Sequence, residues 1–511
     1  MITTRIIVIG FGPVAARLID GLTPSVSRGE LSVMVFGHEP CDAYNRVLVG
    51  ELAVGRCDRD AMTLSSAREL HEAGVTVELG RTVTRVDRSV KTVTLDDGRQ
   101  LSYDRLVFAT GARANVPSLN GITRAKDDAS LDDAPRMSGV SVLRDVADAT
   151  VIARAVASRQ RIIVLGAGIL GMEFALAASE QGADVTIVHT GHAPLPRQLD
   201  ADSGRVLVNT LRSHSVTLRP HSRVEEVLHT THENGHVTFR AVVTADGAVV
   251  SGDLLVLSCG SHARTELATR SGLATARGIL VDAATRTWDD PDVFAIGDCA
   301  QVIPTAPIPG TTAPGSPPGL IGPGWAQADR LIQVITDAGM PQPVEEEPQR
   351  PSVVTMKAST VDVSAVGDTS VDVWDSSNDL QGIAHWLDPQ HGRSMKLVTH
   401  DGKLVAFACV GLPRAASELA LLYSRRAELP ADRSALLRLD GAGNVADRLP
   451  SAADEKVCQC NGVSAQTITD AVRGGCHTVT DVSSRTRAGT GCGGCIGRIT
   501  DLINASAVHV D

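Results

Sequence analysis

Aromatic side chains are scarce in this chain: 4 Trp, 3 Tyr and 7 Phe among 511 residues. The core must therefore be filled by aliphatic residues. No apolar run reaches the ~20 residues that a membrane helix needs, and the first such run, Ile6–Ile9, is short and leads straight into glycines. Neither a membrane anchor nor a secretory leader is expected. Positive charge is in deficit, with 48 Lys and Arg against 59 Asp and Glu and a net charge of −11. That balance argues against nucleic acid as the main partner and suits a soluble protein or one that docks a basic surface. Ten cysteines without an export signal read as a reducing, cytoplasmic setting. Six of them, Cys41, Cys57, Cys259, Cys299, Cys409 and Cys476, are scattered and read as structural thiols.

What is present is glycine in two patterned places and cysteine in one. Arg5–Ile9 reads as a strand, followed at once by Gly10-Phe-Gly12-Pro-Val-Ala15 and a helix expected over 14–22. Gly10 allows the tight turn, Gly12 lets a pyrophosphate approach backbone N–H groups, and Ala15 lets helix and strand pack closely. A carboxylate is expected beyond the second strand, 32–36, to take ribose hydroxyls, and Glu39 is the candidate. The strand ending in Ala109-Thr110-Gly111 has small residues suited to passing beside a nucleotide. Phe294-Ala-Ile-Gly297-Asp298 ends a later strand in a carboxylate that suits the ribitol of FAD.

The second pattern is a complete G-x-G-x-x-G. Arg161–Leu165 runs into Gly166-Ala-Gly168-Ile-Leu-Gly171-Met-Glu173, so a second dinucleotide fold starts here. Its second strand, 184–188, ends at His189, where an NAD-selective site would usually place a carboxylate. The choice between NADH and NADPH therefore stays open. A further strand, 254–257, runs to Cys259-Gly260, where small residues again let a nucleotide pass.

Near the end stand Cys458-x-Cys460 and Cys492-x-x-Cys495, separated by 31 residues. Four soft thiolates select zinc or an iron–sulfur centre over magnesium or calcium. The glycines around Cys492 free N–H groups to face the sulfurs. A [2Fe-2S] centre and a structural zinc are both compatible with the quartet. Cys476 in the same region reads as packing. Between these parts, Pro341, Pro343 and Glu345–Pro348 mark a linker, and short alternating runs at 361–366, 371–374, 383–386, 394–399 and 403–410 read as an antiparallel sheet. A helix from Pro413 to about Glu428 follows, and the Pro/Gly-rich stretch 303–323 reads as a long irregular loop over the nucleotide cleft or as disorder.

Together these pieces resemble the pyridine nucleotide-disulphide oxidoreductase superfamily over roughly 1–335. The tail, from Val457-Cys458-Gln-Cys460-Asn-Gly-Val463 to Thr490-Gly-Cys492-Gly-Gly-Cys495, resembles the bacterioferritin-associated-ferredoxin-like [2Fe-2S] domain. The resemblance implies an α/β fold with two Rossmann-like dinucleotide-binding domains, for FAD (1–143 and 261–340) and NAD(P) (144–260). It further implies an α+β interface domain (345–450) and a small helical [2Fe-2S] domain (455–511). By likeness to ferredoxin-reductase-type members and nitrite reductase, Arg46 contacts the flavin or its pyrophosphate and Val83 meets the adenine. The segment holding Trp325 lies beside the flavin ring, Glu173 positions the nicotinamide, and Lys357 either approaches the flavin or is solvated.

One departure bears on mechanism. No Cys-x4-Cys or Cys-x-x-Cys occurs in the first 340 residues, so electrons are expected to leave the flavin by a route other than a redox disulfide. Hydride transfer needs no acid–base residue, and no catalytic proton donor is assigned. The resemblance implies electron flow from NAD(P)H through FAD to a [2Fe-2S] cluster and on to a protein partner, the catalytic subunit of an assimilatory nitrate reductase. Nitrite reduction is expected to lie outside the chain, since no Cys-x5-Cys or further quartet remains. Two other readings stand beside it: a redox- or iron-sensing interaction protein, and a reductase that releases iron from a ferritin-type store.

Overall fold

The computed structural model describes residues 3–122, 137–308, 310–336, 351–358, 361–374, 381–440, 456–458, 461–491, 493 and 495–507. Two five-stranded parallel sheets form its centre. In the first, the strands run in the order Val293–Ala295, Arg105–Phe108, Thr4–Ile9, Leu31–Gly37, Thr76–Leu79. In the second, the order is Val140–Val142, Leu254–Leu257, Arg161–Leu165, Asp184–Val188, Val216–Arg219. Continuous Val/Ile/Leu runs form these strands because both faces are covered, as parallel sheets require. Ile6, Val8, Val33 and Val35 face one core, and Ile162, Val164, Val185 and Ile187 face another.

The two halves repeat one plan. Each has its glycine-rich turn after its central strand, and each carries a three-stranded antiparallel meander, Val83–Asp87 to Gln100–Ser102 in one and Val224–Thr231 to Val249–Ser251 in the other. Val140–Val142 pairs in parallel with Leu255–Leu257. The second sheet thus reaches back before residue 144, where sequence places the boundary.

The first helix is longer than expected, Pro13–Ser27, with Pro24 inside it. Pro24 lacks only the N–H that would reach the Asp20 carbonyl, and it sits in the last turn. Burial of Leu22 and Ser25 holds that turn in place.

The region after 351 is an antiparallel sheet ordered Val354–Lys357, Asp362–Val366, Lys403–Val410, Arg393–His400, Gln381–Asp388. Alternation divides it into two faces. Met356, Val363, Ala365, Ala408 and Val410 join the core of the second parallel sheet. Val366, Met395, Leu397, Phe407 and Cys409 pack on the helix Pro413–Arg425. That helix ends earlier than expected, with Arg426 in the left-handed region at φ 54°. The run 371–374 is not a strand. Asp368 and Asp372 accept backbone N–H bonds from Ser370 and Trp374, bending the chain, and Trp374 is 88% exposed. The expected loop 303–323 ends inside a helix, Ile321–Thr336. The linker residues 341–350 lie outside the described ones.

The tail is a small helical unit of Ala465–Arg473, Val479–Thr486 and Ile496–Ala507, with a two-stranded pairing of Lys456–Cys458 and Val463–Ser464.

Candidate functional site

Both glycine turns have the same geometry. Gly10 has φ +110°, and a Cβ there would lie 2.3 Å from the Ala109 carbonyl oxygen. Gly166 has φ +114°, and its Cβ would lie 2.3 Å from the Ser258 carbonyl oxygen. Only glycine lets the chain turn this close to the neighbouring strand end. One turn on, Gly12 and Gly168 open their helices with extended backbone and no side-chain cap, and nothing lies within 4 Å of where their side chains would point. Uncapped N–H groups at an open helix start form a cradle for phosphate. Ala15 is buried against the first sheet, and Gly171 lies so close to Gly166 that a Cβ would sit 2.6 Å from its carbonyl.

Around the first turn the expected flavin residues converge. Ala109 donates its backbone N–H to Ile9, Thr110 donates its hydroxyl to the Arg264 carbonyl, and Gly111 accepts from Arg264 N–H. Asp298 lies in the short turn Gly297–Cys299 that follows the edge strand. Gly297 N–H donates to Gln327 Oε1 at 2.7 Å, and Trp325 Nε1 donates to the Pro13 carbonyl at 3.1 Å. The glycine turn, the Asp298 turn and the helix Ile321–Thr336 are thereby tied together. Asp298 accepts from Arg144 Nη2 at 2.9 Å, a partner that sequence reading missed. Arg144 also donates to the Ala112 carbonyl.

Glu39 and Arg46 form an ion pair with each other, and the Tyr44 hydroxyl donates to Glu39 at 2.7 Å. Burial opposes ionisation of Glu39, but the Arg46 charge and these hydrogen bonds outweigh it and hold the carboxyl below its usual range. The Arg46 guanidinium also lies 4.9 Å over the Tyr44 ring. Val83 is buried at the start of the first meander. Glu39, Arg46 and the open turn at Gly12 suit the sugar and phosphates of FAD.

At the second turn, His189 ends its strand as expected and is buried, with Nε2 lacking a hydrogen-bond partner. Burial, then the neighbouring His221, push its pKa below the usual histidine value. A neutral imidazole with an unsatisfied nitrogen can hydrogen-bond a ribose hydroxyl and, unlike a carboxylate, does not repel a 2′-phosphate. Glu173 lies in the helix Ile169–Glu180, and Gly260 bonds Asn115 through its carbonyl. The Cys259 thiol next to Gly260 is pushed up to about 11 by burial, so it is no nucleophile at neutral pH. Cys41 and Cys57, likewise raised by burial, are unpaired thiols.

In the tail, Cys458 and Cys495 are buried, with exposures of 0% and 6%, and share one core with Cys476, Ile468, Val482 and Ile499. Cys495 immediately precedes the helix Ile496–Ala507, and its carbonyl accepts from Ile499 N–H. Cys460 and Cys492 lie outside the described residues, as does the side chain of Lys357. Two buried cysteines from opposite ends of a unit this small, with soft sulfur donors, suit an iron–sulfur centre.

Asn45 carries no site signature of its own in the sequence. It is 2% exposed and spends both amide hydrogens on the tail, donating to Thr490 O at 2.9 Å and Gly491 O at 2.6 Å. No local pattern announces a contact 445 residues away.

Comparison with known proteins agrees with this geometry. Residues 4–313 match the pyridine nucleotide-disulphide oxidoreductase family, and residues 456–505 match the BFD-like [2Fe-2S] binding domain. The nitrite reductase [NAD(P)H] of Bacillus subtilis (strain 168) is 28% identical over 98% of this chain and 57% of its own length. The assimilatory nitrate reductase electron transfer subunit of the same organism is 27% identical over 98% of this chain and 59% of its own. The chain thus spans a little over half the length of these relatives. The covalent putidaredoxin reductase–putidaredoxin complex superposes with a TM-score of 0.69 at 20% identity, covering 85% of this chain and 98% of that one, a likeness of fold. Among the described residues no helix is long and apolar enough to cross a membrane. The cofactors are FAD, NAD(P)H and, in the tail, a [2Fe-2S] cluster. The chain belongs to the pyridine nucleotide-disulphide oxidoreductase family, as an FAD-dependent NAD(P)H oxidoreductase that carries a BFD-like [2Fe-2S] binding domain at residues 456–505.

Proposed function

We propose that this chain takes electrons from NAD(P)H and delivers them singly to a protein acceptor, the catalytic subunit of an assimilatory nitrate reductase, in the cytoplasm. The bound groups supply the redox chemistry, a hydride carrying two electrons entering and two single electrons leaving. The residues supply binding and orientation. Gly10 and Gly12 with Ala15 present the first helix start to the FAD pyrophosphate, Glu39 and Arg46 hold its sugar and phosphate, and Val83 meets the adenine. Ala109, Thr110 and Gly111 line its path, Asp298 takes the ribitol and Trp325 backs the ring. Gly166, Gly168 and Gly171 do the same for NAD(P)H, with His189 and Gly260 at its ribose edge and Glu173 toward the nicotinamide. Cys458, Cys460, Cys492 and Cys495 hold the cluster.

The observation that carries this reading is the pairing of two open glycine cradles with a buried cysteine core in one chain. The first 340 residues hold no Cys-x4-Cys or Cys-x-x-Cys pair to serve as a redox disulfide, which supports the tail cysteines as the next electron carrier. The nitrate-reductase acceptor is supported by a relative of that printed name matching 98% of this chain. The test is Cys495→Ser in the full chain. It should keep flavin reduction by NAD(P)H and lose reduction of a nitrate reductase catalytic subunit. Full transfer by the variant would remove the cluster from the path. Faster transfer to ferritin than to nitrate reductase would replace the acceptor.

A further inference from the structure

Two tail segments that adjoin Cys460 and Cys492 in sequence are held by the flavin unit. Asn461, next in sequence to Cys460, accepts from Arg17 Nη1 at 3.1 Å through Oδ1. Gly491, which precedes Cys492, accepts from Asn45 at 2.6 Å, and Thr490 before it accepts at 2.9 Å. Asn461 ties the two loops to each other, donating to the Arg487 carbonyl at 2.6 Å and the Thr490 hydroxyl at 3.2 Å. Arg487 closes the contact with an ion pair to Asp20 at 2.8 Å. On the flavin side these partners are not remote surface groups. Asn45 immediately precedes Arg46, and the Arg17 guanidinium stands 5.4 Å over the Trp325 ring, whose Nε1 bonds Pro13 beside Gly12. Asn45 is buried, so its two donors are desolvated and specific to the two carbonyls they meet.

We propose that the iron–sulfur loops dock on the flavin unit of their own chain, with Asn45 as the positioning residue, so that electrons cross within one chain and not between two. The proposal rests on the function proposed above and adds the route. Asn45→Asp is the sharp variant. It keeps the oxygen that accepts from Val47 N–H at 3.1 Å and turns both donors toward the tail into acceptors facing carbonyl oxygens.

In the full, cofactor-loaded chain, hydrogen exchange at 487–491 should rise about tenfold in N45D, the loss of roughly one net hydrogen bond or more. Exchange in Ala465–Arg473 and Val479–Thr486 should stay as it was. In the unaltered chain, bleaching of the iron–sulfur absorption after NAD(P)H should proceed at a rate independent of protein concentration. In N45D it should slow and become concentration-dependent. Unchanged exchange at 487–491, or concentration-dependent bleaching in the unaltered chain, would overturn the proposal. Where N45D loosens the whole tail, Arg487→Ala decides. It should give the local rise with flavin bleaching at the unaltered rate, and no rise would refute docking. An iron-free chain with the protection at 487–491 intact would defeat the proposed function and leave the docking standing.

Discussion

Replacing Gly166 by alanine should silence NAD(P)H while leaving FAD in place. The added Cβ would lie 2.3 Å from the Ser258 carbonyl oxygen, about 1 Å inside ordinary contact. The backbone at φ +114° is also one that alanine adopts at a cost of roughly 1–3 kcal/mol. Relief requires the turn to move off the strand Leu254–Leu257, carrying the open helix start at Gly168 with it. A combined penalty of about 3 kcal/mol on nucleotide binding corresponds to about a hundredfold weaker binding. The equivalent turn at Gly10 is untouched, so flavin content should not change. The assay is stopped-flow bleaching of the flavin across a range of NADH and NADPH concentrations, with chemical reduction as the control for flavin competence. Half-saturation should rise by about two orders of magnitude, or the rate should collapse where saturation is out of reach. Unaltered half-saturation with both nucleotides would refute the assignment of this turn. The mirror variant, Gly10→Ala, should instead be purified without flavin.

Three other substitutions probe separate parts. Asp148, the third residue of the helix Val146–Ala157, accepts backbone N–H bonds from Arg144 and the N-cap Asp145 and is pushed up to about 7 by burial and then by the charge of Asp145. Its folded value exceeds the unfolded one of about 4, so the folded chain retains a proton that the unfolded chain releases, and this group's contribution to stability falls as pH rises through that window. Urea melts at pH 4.5 and 7.5 should show a smaller pH dependence for Asp148→Asn, and identical slopes would contradict the assignment. Glu39→Gln removes the ion pair with Arg46, and flavin retention on dilution should fall about tenfold or more, as expected for a charge-assisted contact. Leu419, fully buried between the helix Pro413–Arg425 and its sheet, should lose about 2–5 kcal/mol as alanine in thermal or urea unfolding. A loss below about 1 kcal/mol would mean that this helix is not part of the core.

Much of this architecture was legible because its signals are local. Ile6–Ile9 and Ile162–Leu165 are unbroken aliphatic runs that end in glycine. The turns at Gly10 and Gly166 have the backbone that the spacing implies. The interface sheet was legible as a type but not in detail. Val371–Trp374 has strand composition, yet two aspartates bend it, and side-chain-to-backbone bonds of that kind compete with sheet pairing. Val354–Lys357 has no legible strand signal, because four residues shortly after Pro351 carry too little alternation. Long-range pairs left no trace in sequence. Arg144 meets Asp298 across 154 positions, and Asn45 reaches Gly491 across 446. Such contacts are set by how sheets and the tail pack, and no spacing encodes them.

The central claim is that one chain carries a flavin and a two-iron centre connected in series. The direct measurement is the visible spectrum with metal analysis of the protein purified without oxygen, followed by low-temperature paramagnetic resonance after addition of NAD(P)H. The account predicts flavin bands over a broad sulfur-to-iron absorption, about two irons per chain, and a resonance of the reduced cluster once the nucleotide is added. Zinc in place of iron, or a cluster that stays oxidised while the flavin bleaches, would contradict it.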